Sequence, residues 1–182
     1  MGEPEDDDTL LAAAGSGDPA AFGRLMDRHA DRVLALAQSV LRVRADAEDV
    51  TQDVFLAVWR SAADWKSGKA RFSTWLYRVT LNRSLNHKNR VAARQAPLDA
   101  APEPEDPAPA ADDAIDAARR QEDLRREIGA LPEGQRIAMT LTYSAGLSNA
   151  DGAAAMEISV KAFEALLVRA RRTVRERLGR EG

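Results

Sequence analysis

The chain of 182 residues contains no cysteine, which excludes disulfides, thiol nucleophiles and cysteine-ligated metal sites. Only two histidines are present, His29 and His87, and their separation shows no ligand spacing. Aromatic residues make up 5% of the chain while Ala and Arg are abundant, a mix that favours helix over sheet. No apolar run approaches the ~20 residues of a membrane span. The opening MGEPEDDDTLLAAAG is acidic where a signal peptide carries a basic segment. These absences predict a cytosolic chain without membrane insertion, cofactor or metal. They also leave no nucleophile or phosphate-loop constellation for catalysis, so no catalytic residue is assigned.

What the sequence does have is segregated charge. The formal net charge is only −3, but acids and bases occupy different stretches. Pro97 to Asp116 holds five of the eight prolines, seven acids and no base. Such a stretch cannot bury enough apolar area to offset its ordering entropy, so 96–118 reads as a flexible acidic linker. It divides the chain into an acidic N-terminal tail (1–18), a first domain (19–95) and a second domain (119–180). Both flanking blocks carry helical periodicity and neither shows strand-like alternation. The expected fold is all-α, two small helical domains on a Pro/Ala-rich tether.

In the first block, Phe22, Leu25, Met26, Val33, Leu36, Ala37 and Val40 recur close to every 3.6 residues, and Asp18-Pro19 supplies an N-cap and first-turn proline. A second helix is expected over 46–60, with Val50, Val54, Phe55 and Val58 inward. A third is expected over 71–90, with Phe72, Trp75, Leu76 and Val79 inward. Asp46, Asp49 and Asp53, with Gln52 beside them, make an acidic strip on the second helix. Dipole complementarity explains acids in a first turn, but Asp53 lies beyond it, and such a strip suits a basic protein partner. The charge then reverses. Between Arg60 and Arg94 stand nine Lys/Arg and one acid, and five of the nine aromatics lie between Trp59 and Tyr77. Basic charge interleaved with rings suits single-stranded nucleic acid. Trp65, Lys66, Lys69 and Arg71 are the loop candidates for contact. Arg78, Asn82, Asn86 and Asn89 share a polar helix face, and asparagine can both donate to and accept from a base edge.

In the second block, Leu124, Ile128 and Leu131 share a face before the break Pro132-Glu133-Gly134, and a further helix covers roughly 135–144. Ser148 opens the capping pattern S-N-A-D, and Ser159 can cap a longer helix. Val160, Phe163, Leu167, Ala170, Val174 and Leu178 form the apolar stripe of that helix. A short helix, a tight turn and a long helix with a basic outer face make a helix-turn-helix, in which the first turns of the second helix enter a major groove. Gly152 is out of place inside a helix unless it permits close helix contact.

The ordered stretches DAEDVTQDVFLAVWR, ARFSTWLYRVTLNRSLN and GLSNADGAAAMEISVKAFEALLVRARRTVRERL resemble the extracytoplasmic-function (group IV) sigma factors of the sigma-70 family. The resemblance covers roughly 20–94 and 120–178. It implies a sigma region 2 helical bundle and a sigma region 4 helix-turn-helix. The partners it implies are core RNA polymerase, through its clamp helices and flap, promoter DNA, and a cognate anti-sigma factor. By resemblance, Asp46, Glu48, Asp49, Gln52 and Asp53 dock on polymerase. Trp65, Lys66, Lys69, Arg71, Arg78, Asn82 and Asn86 meet the −10 element. Ser159, Lys161, Ala162, Glu164, Ala165, Arg169 and Arg172 face the −35 element. Gly152 departs from the bulky aliphatic residue usual in the family, and Met156-Glu157 replaces the usual Leu-Gly of the turn. Two other functions stay open at this stage. A sigma-like decoy would titrate an anti-sigma factor without needing its DNA-facing arginines. A stand-alone helix-turn-helix regulator would leave the acidic strip unexplained.

Overall fold

The computed structural model describes residues 5–66, 71–94 and 124–179, and all regular structure among them is helical. The linker (96–118) and Lys69 lie outside the described residues.

Four helices build the first domain: α1 (Asp7–Gly15), α2 (Pro19–Leu41), α3 (Arg44–Ala62) and α4 (Phe72–Arg94). The α2 N-terminus is capped as expected, the Asp18 carboxylate accepting from the Ala20 and Ala21 N–H groups at 2.8 and 3.3 Å. Leu25, Val33, Leu36, Val54, Val58 and Leu76 are completely buried where α2, α3 and α4 meet. Met26, expected in this core, is instead 37% exposed. It stands about 100° around the helix from Leu25, and the inward position of the next turn is taken by His29.

The stretch expected as an acidic tail is a correction. Asp6 caps α1 by accepting from Thr9 N–H at 2.7 Å, and Leu10, Leu11 and Ala14 join the core. At Gly15 a Cβ would stand 2.5 Å from the Ala62 carbonyl oxygen, so glycine is what lets α1 end against α3. Asp7 anchors the other end. Its carboxylate meets buried His29 Nε2 at 2.9 Å and Arg28 Nη1 at 2.5 Å, and His29 Nδ1 lies 3.4 Å from the Tyr77 hydroxyl. Burial alone would raise the Asp7 carboxyl, but the His29 hydrogen bond and the His29 and Arg28 charges outweigh it and hold it below the ordinary value. A depressed folded-state pKa stabilises above the unfolded value, and that stabilisation disappears as pH falls through the folded one. Asp7→Asn is therefore expected to lower stability at neutral pH, with the gap to the wild type closing below about pH 4. Urea unfolding at a series of pH values checks this.

The second domain begins with a helical stretch at 124–129 (α5). α6 (Glu133–Met139) follows and continues through a π-helical turn, Thr140–Ser144; then come α7 (Asn149–Ala155) and α8 (Val160–Leu178). Ser148 Oγ accepts from Asp151 N–H at 3.1 Å and Ser159 Oγ from Ala162 N–H at 3.2 Å, the two expected caps. Phe163, Leu167, Ala170 and Val174 are buried along the predicted stripe, whereas Val160, assigned to it, is 43% exposed. Val160 is the first residue of α8, directly after the Ser159 cap.

The two domains pack against each other. α7 lies on the N-terminal half of α4, where Thr74 Oγ1 donates to Asp151 Oδ1 at 3.0 Å. Lys88 pairs with Glu133, and Arg42 donates to the Gly129 carbonyl at 2.6 Å. Buried Arg136 reaches across to the Ser39 carbonyl at 2.5 Å.

Candidate functional site

Three exposed faces carry the residues singled out from sequence. On α3, Asp49, Gln52 and Asp53 are exposed. Glu48 is engaged by Arg44 at 2.8 Å. Asp46 is half-buried, 3.3 Å from His87 Nε2 but without hydrogen-bond alignment. One and two turns further along the same face stand Leu56, 51% exposed, and Trp59, 40% exposed, with Met26 of α2 also exposed. Phe22 supports Trp59 edge-to-face at 5.0 Å. The acids thus lead into an exposed apolar patch. In the sequence Trp59 counts toward the basic–aromatic stretch and Leu56 toward neither face, but their offset of seven from Gln52 and Asp49 puts both beside the acids.

The second face combines the loop after α3 with the outer side of α4. Lys66 and Arg71 are exposed, as are Arg78, Asn82, Asn86 and Asn89. Trp65, a loop candidate for contact, is held in place. Its Nε1–H donates to Asp8 Oδ1 at 3.1 Å, and its ring packs on Phe72 and Trp75 with centroids 5.9 and 5.4 Å away. The residue that fixes it, Asp8, lies on α1, within the stretch expected as an acidic tail. Arg71 Nη1 lies 3.8 Å from Asp151 of the second domain.

The third face is the outer side of α8. Lys161, Ala162, Glu164, Arg169 and Arg172 are exposed, Ala165 is half-buried, and Val168 is 63% exposed. Ser159 is committed to capping. Arg171 donates to the Tyr143 hydroxyl at 2.7 Å and lies 5.7 Å above that ring. Across the turn, Asn149 Nδ2 donates to Glu164 Oε1 at 3.2 Å, a contact that spacing within either helix could not reveal. The turn itself is intact despite its unusual sequence. Glu157 takes φ 55°, in the left-handed region where glycine is usual, and Ile158 N–H returns to the Ala153 carbonyl at 3.0 Å. The left-handed backbone at a residue with a Cβ costs ~1–2 kcal/mol, which the surrounding contacts offset. Among the described residues no three His, Asp or Glu side chains gather as a metal ligand set, and no helix is long and apolar enough to cross a membrane.

An acidic–apolar face and a basic face on one helical domain, beside a helix-turn-helix domain, are the features of the sigma-70 class. Residues 25–94 match the Sigma-70 region 2 family and residues 121–174 match Sigma-70, region 4. The RNA polymerase sigma factor CnrH of Cupriavidus metallidurans is 35% identical over 92% of both chains. The extracytoplasmic-function factor SigE of Mycolicibacterium smegmatis is 32% identical over 98% of this chain and 71% of its own. CnrH in complex with the cytosolic domain of CnrY superposes with a TM-score of 0.66, covering 97% of this chain and all of that one. RpoE of Bartonella quintana, solved with the anti-sigma factor NepR, has a TM-score of 0.68 at 19% identity over 87% of this chain and 96% of that one, a likeness of fold. The chain belongs to the extracytoplasmic-function sigma factors of the sigma-70 family.

Proposed function

We propose that this sigma factor docks on core RNA polymerase through the Asp49–Gln52–Asp53 strip and its apolar continuation at Leu56 and Trp59. Trp65, Lys66, Arg71 and the Arg78–Asn82–Asn86 face of α4 would then engage the −10 element, and α8 the −35 element. The observation that carries this reading is the opposition of two faces on one small domain. α3 presents exposed acids running into exposed apolar side chains, while α4 presents Arg and Asn. A protein partner fits the first and a nucleic acid the second, and an initiation factor needs both at once. A partner of the anti-sigma class belongs to the same proposal, supported by the complex of CnrH with the cytosolic domain of CnrY.

The packed arrangement has a consequence for promoter binding. Elements 25 base pairs apart are separated by about 85 Å at 3.4 Å per pair, whereas a compact chain of this length has a radius of gyration of roughly 16 Å. With α7 hydrogen-bonded to α4, both elements cannot be read together, so the domains must part on the promoter.

The experiment is charge reversal. Asp49→Lys with Asp53→Lys is expected to weaken binding to core polymerase by tenfold or more, with unchanged helix content by circular dichroism. Equal affinity of the variant and the wild type would overturn the docking assignment.

A further inference from the structure

We infer that Glu164 reads a cytosine of the upstream element, its carboxylate held in reading position by Asn149. The inference rests on α8 being the duplex-reading helix. Glu164 is the only acid in α8 between Val160 and Arg172, on a face that also shows Lys161, Arg169 and Arg172. A carboxylate on a surface that approaches phosphates is repelled by them, so its favourable target is a donor on a base edge. In the major groove those donors are the cytosine N4 and adenine N6 amino groups. A carboxylate only accepts hydrogen bonds. Adenine sets the acceptor N7 beside its amino group, where a carboxylate meets it unfavourably, and cytosine remains.

Asn149 supplies the orientation. It is the first residue of α7, positioned by the Ser148 cap, and its Nδ2 donates to Glu164 Oε1 at 3.2 Å across the turn. The exposed side chain keeps its other carboxylate oxygen for a base edge. The long side chain thereby gives up rotamer freedom before the duplex arrives. Ala165 beside it is small, and Val168 one turn on is open, so neither crowds a base pair against Glu164.

The test uses the full chain with core polymerase and a promoter duplex library randomised over the upstream element, with the bound fraction sequenced. One position is expected to select a C:G pair. Glu164→Gln is expected to move that position toward adenine, because an amide both donates to N6–H's neighbour N7 and accepts from N6, changing the C-over-A ratio about tenfold. Asn149→Ala is expected to relax selection at that position alone. Asn149→Asp combined with Glu164→Gln restores a hydrogen bond with donor and acceptor exchanged, and is expected to sharpen the adenine preference over Glu164→Gln alone, which a merely structural Asn149 would not do. Arg169→Ala is the control, expected to weaken all sequences alike and reduce the salt slope by about one. If the wild type selects bases and the control behaves so, but Glu164→Gln leaves every position unchanged, the inference is overturned while the proposed function stands. If Asn149→Ala leaves selection unchanged while Glu164→Gln shifts it, the positioning role is overturned. If the wild type selects nothing upstream and Arg169→Ala has no effect, α8 is not the reading helix and the proposal beneath both fails.

Discussion

Arg136→Met is expected to part the two domains before it unfolds either of them. Arg136 is 6% exposed, and its guanidinium serves two helix ends at once. Nε donates to the carbonyl of Ser39, among the last four residues of α2, and Nη1 donates to the carbonyls of Leu131 at 2.6 Å and Gly129 at 3.3 Å, where α5 ends. Those carbonyls have no intrahelical partner, and a cation at a helix C-terminus also meets the negative end of its dipole. Burial, then the nearby Arg42, lower the guanidinium pKa, yet arginine stays protonated at any working pH. Methionine keeps most of the apolar stem and removes every donor. Each buried acceptor left unpaired costs roughly 1–3 kcal/mol. Water can reach the Ser39 carbonyl once the domains separate, so the loss emerges as opening. Small-angle scattering should show a larger radius of gyration at unchanged helix content. A radius equal to that of the wild type would mean that Arg136 does not join the domains. Arg136→Lys should open the pair too, since an ammonium lacks the planar fork that reaches both helix ends.

Gly152→Val carries the second large effect, a loss of about 3 kcal/mol or more. A Cβ at this position would stand 2.4 Å from Phe163 Cζ and 2.8 and 3.0 Å from two further ring atoms. Phe163 is completely buried and has nowhere to turn. Even alanine, which regains ~1 kcal/mol of helix propensity, is expected to be net destabilising. The Phe163 ring occupies the space that a side chain at 152 would need. Gly152→Val combined with Phe163→Val should therefore be more stable than Gly152→Val alone. Urea unfolding of the four proteins of this cycle measures the coupling, expected near 2 kcal/mol for residues in contact. Additive losses would show that the ring does not exclude the side chain.

Much of this molecule is local chemistry and could be read directly from the chain. Asp18, Ser148 and Ser159 cap the helices they were expected to cap, because an N-cap bond closes within three residues. The stripes of α2, α3, α4 and α8 follow from a period of 3.6, and the acidic and basic faces follow from the same geometry. The short α1 escaped because its buried side chains, Leu10, Leu11 and Ala14, sit beside a run of acids that reads as solvated. Period alone puts Met26 and Val160 inside, because it marks a face without showing which of its positions a neighbouring helix covers.

Tertiary structure alone decided the rest. It joined Asp8 to Trp65, Asn149 to Glu164, Gly152 to Phe163 and Arg136 to Ser39. Each of these pairs lies on two different elements, separated by 11 to 97 positions in the chain. Local sequence carries the longer helices, most of the positions they bury and the family to which they belong, since these depend on residues within one or two turns. Which faces meet, and so which polar side chains are committed and which are free for a partner, depends on packing between helices, where a single methyl group or guanidinium decides the outcome.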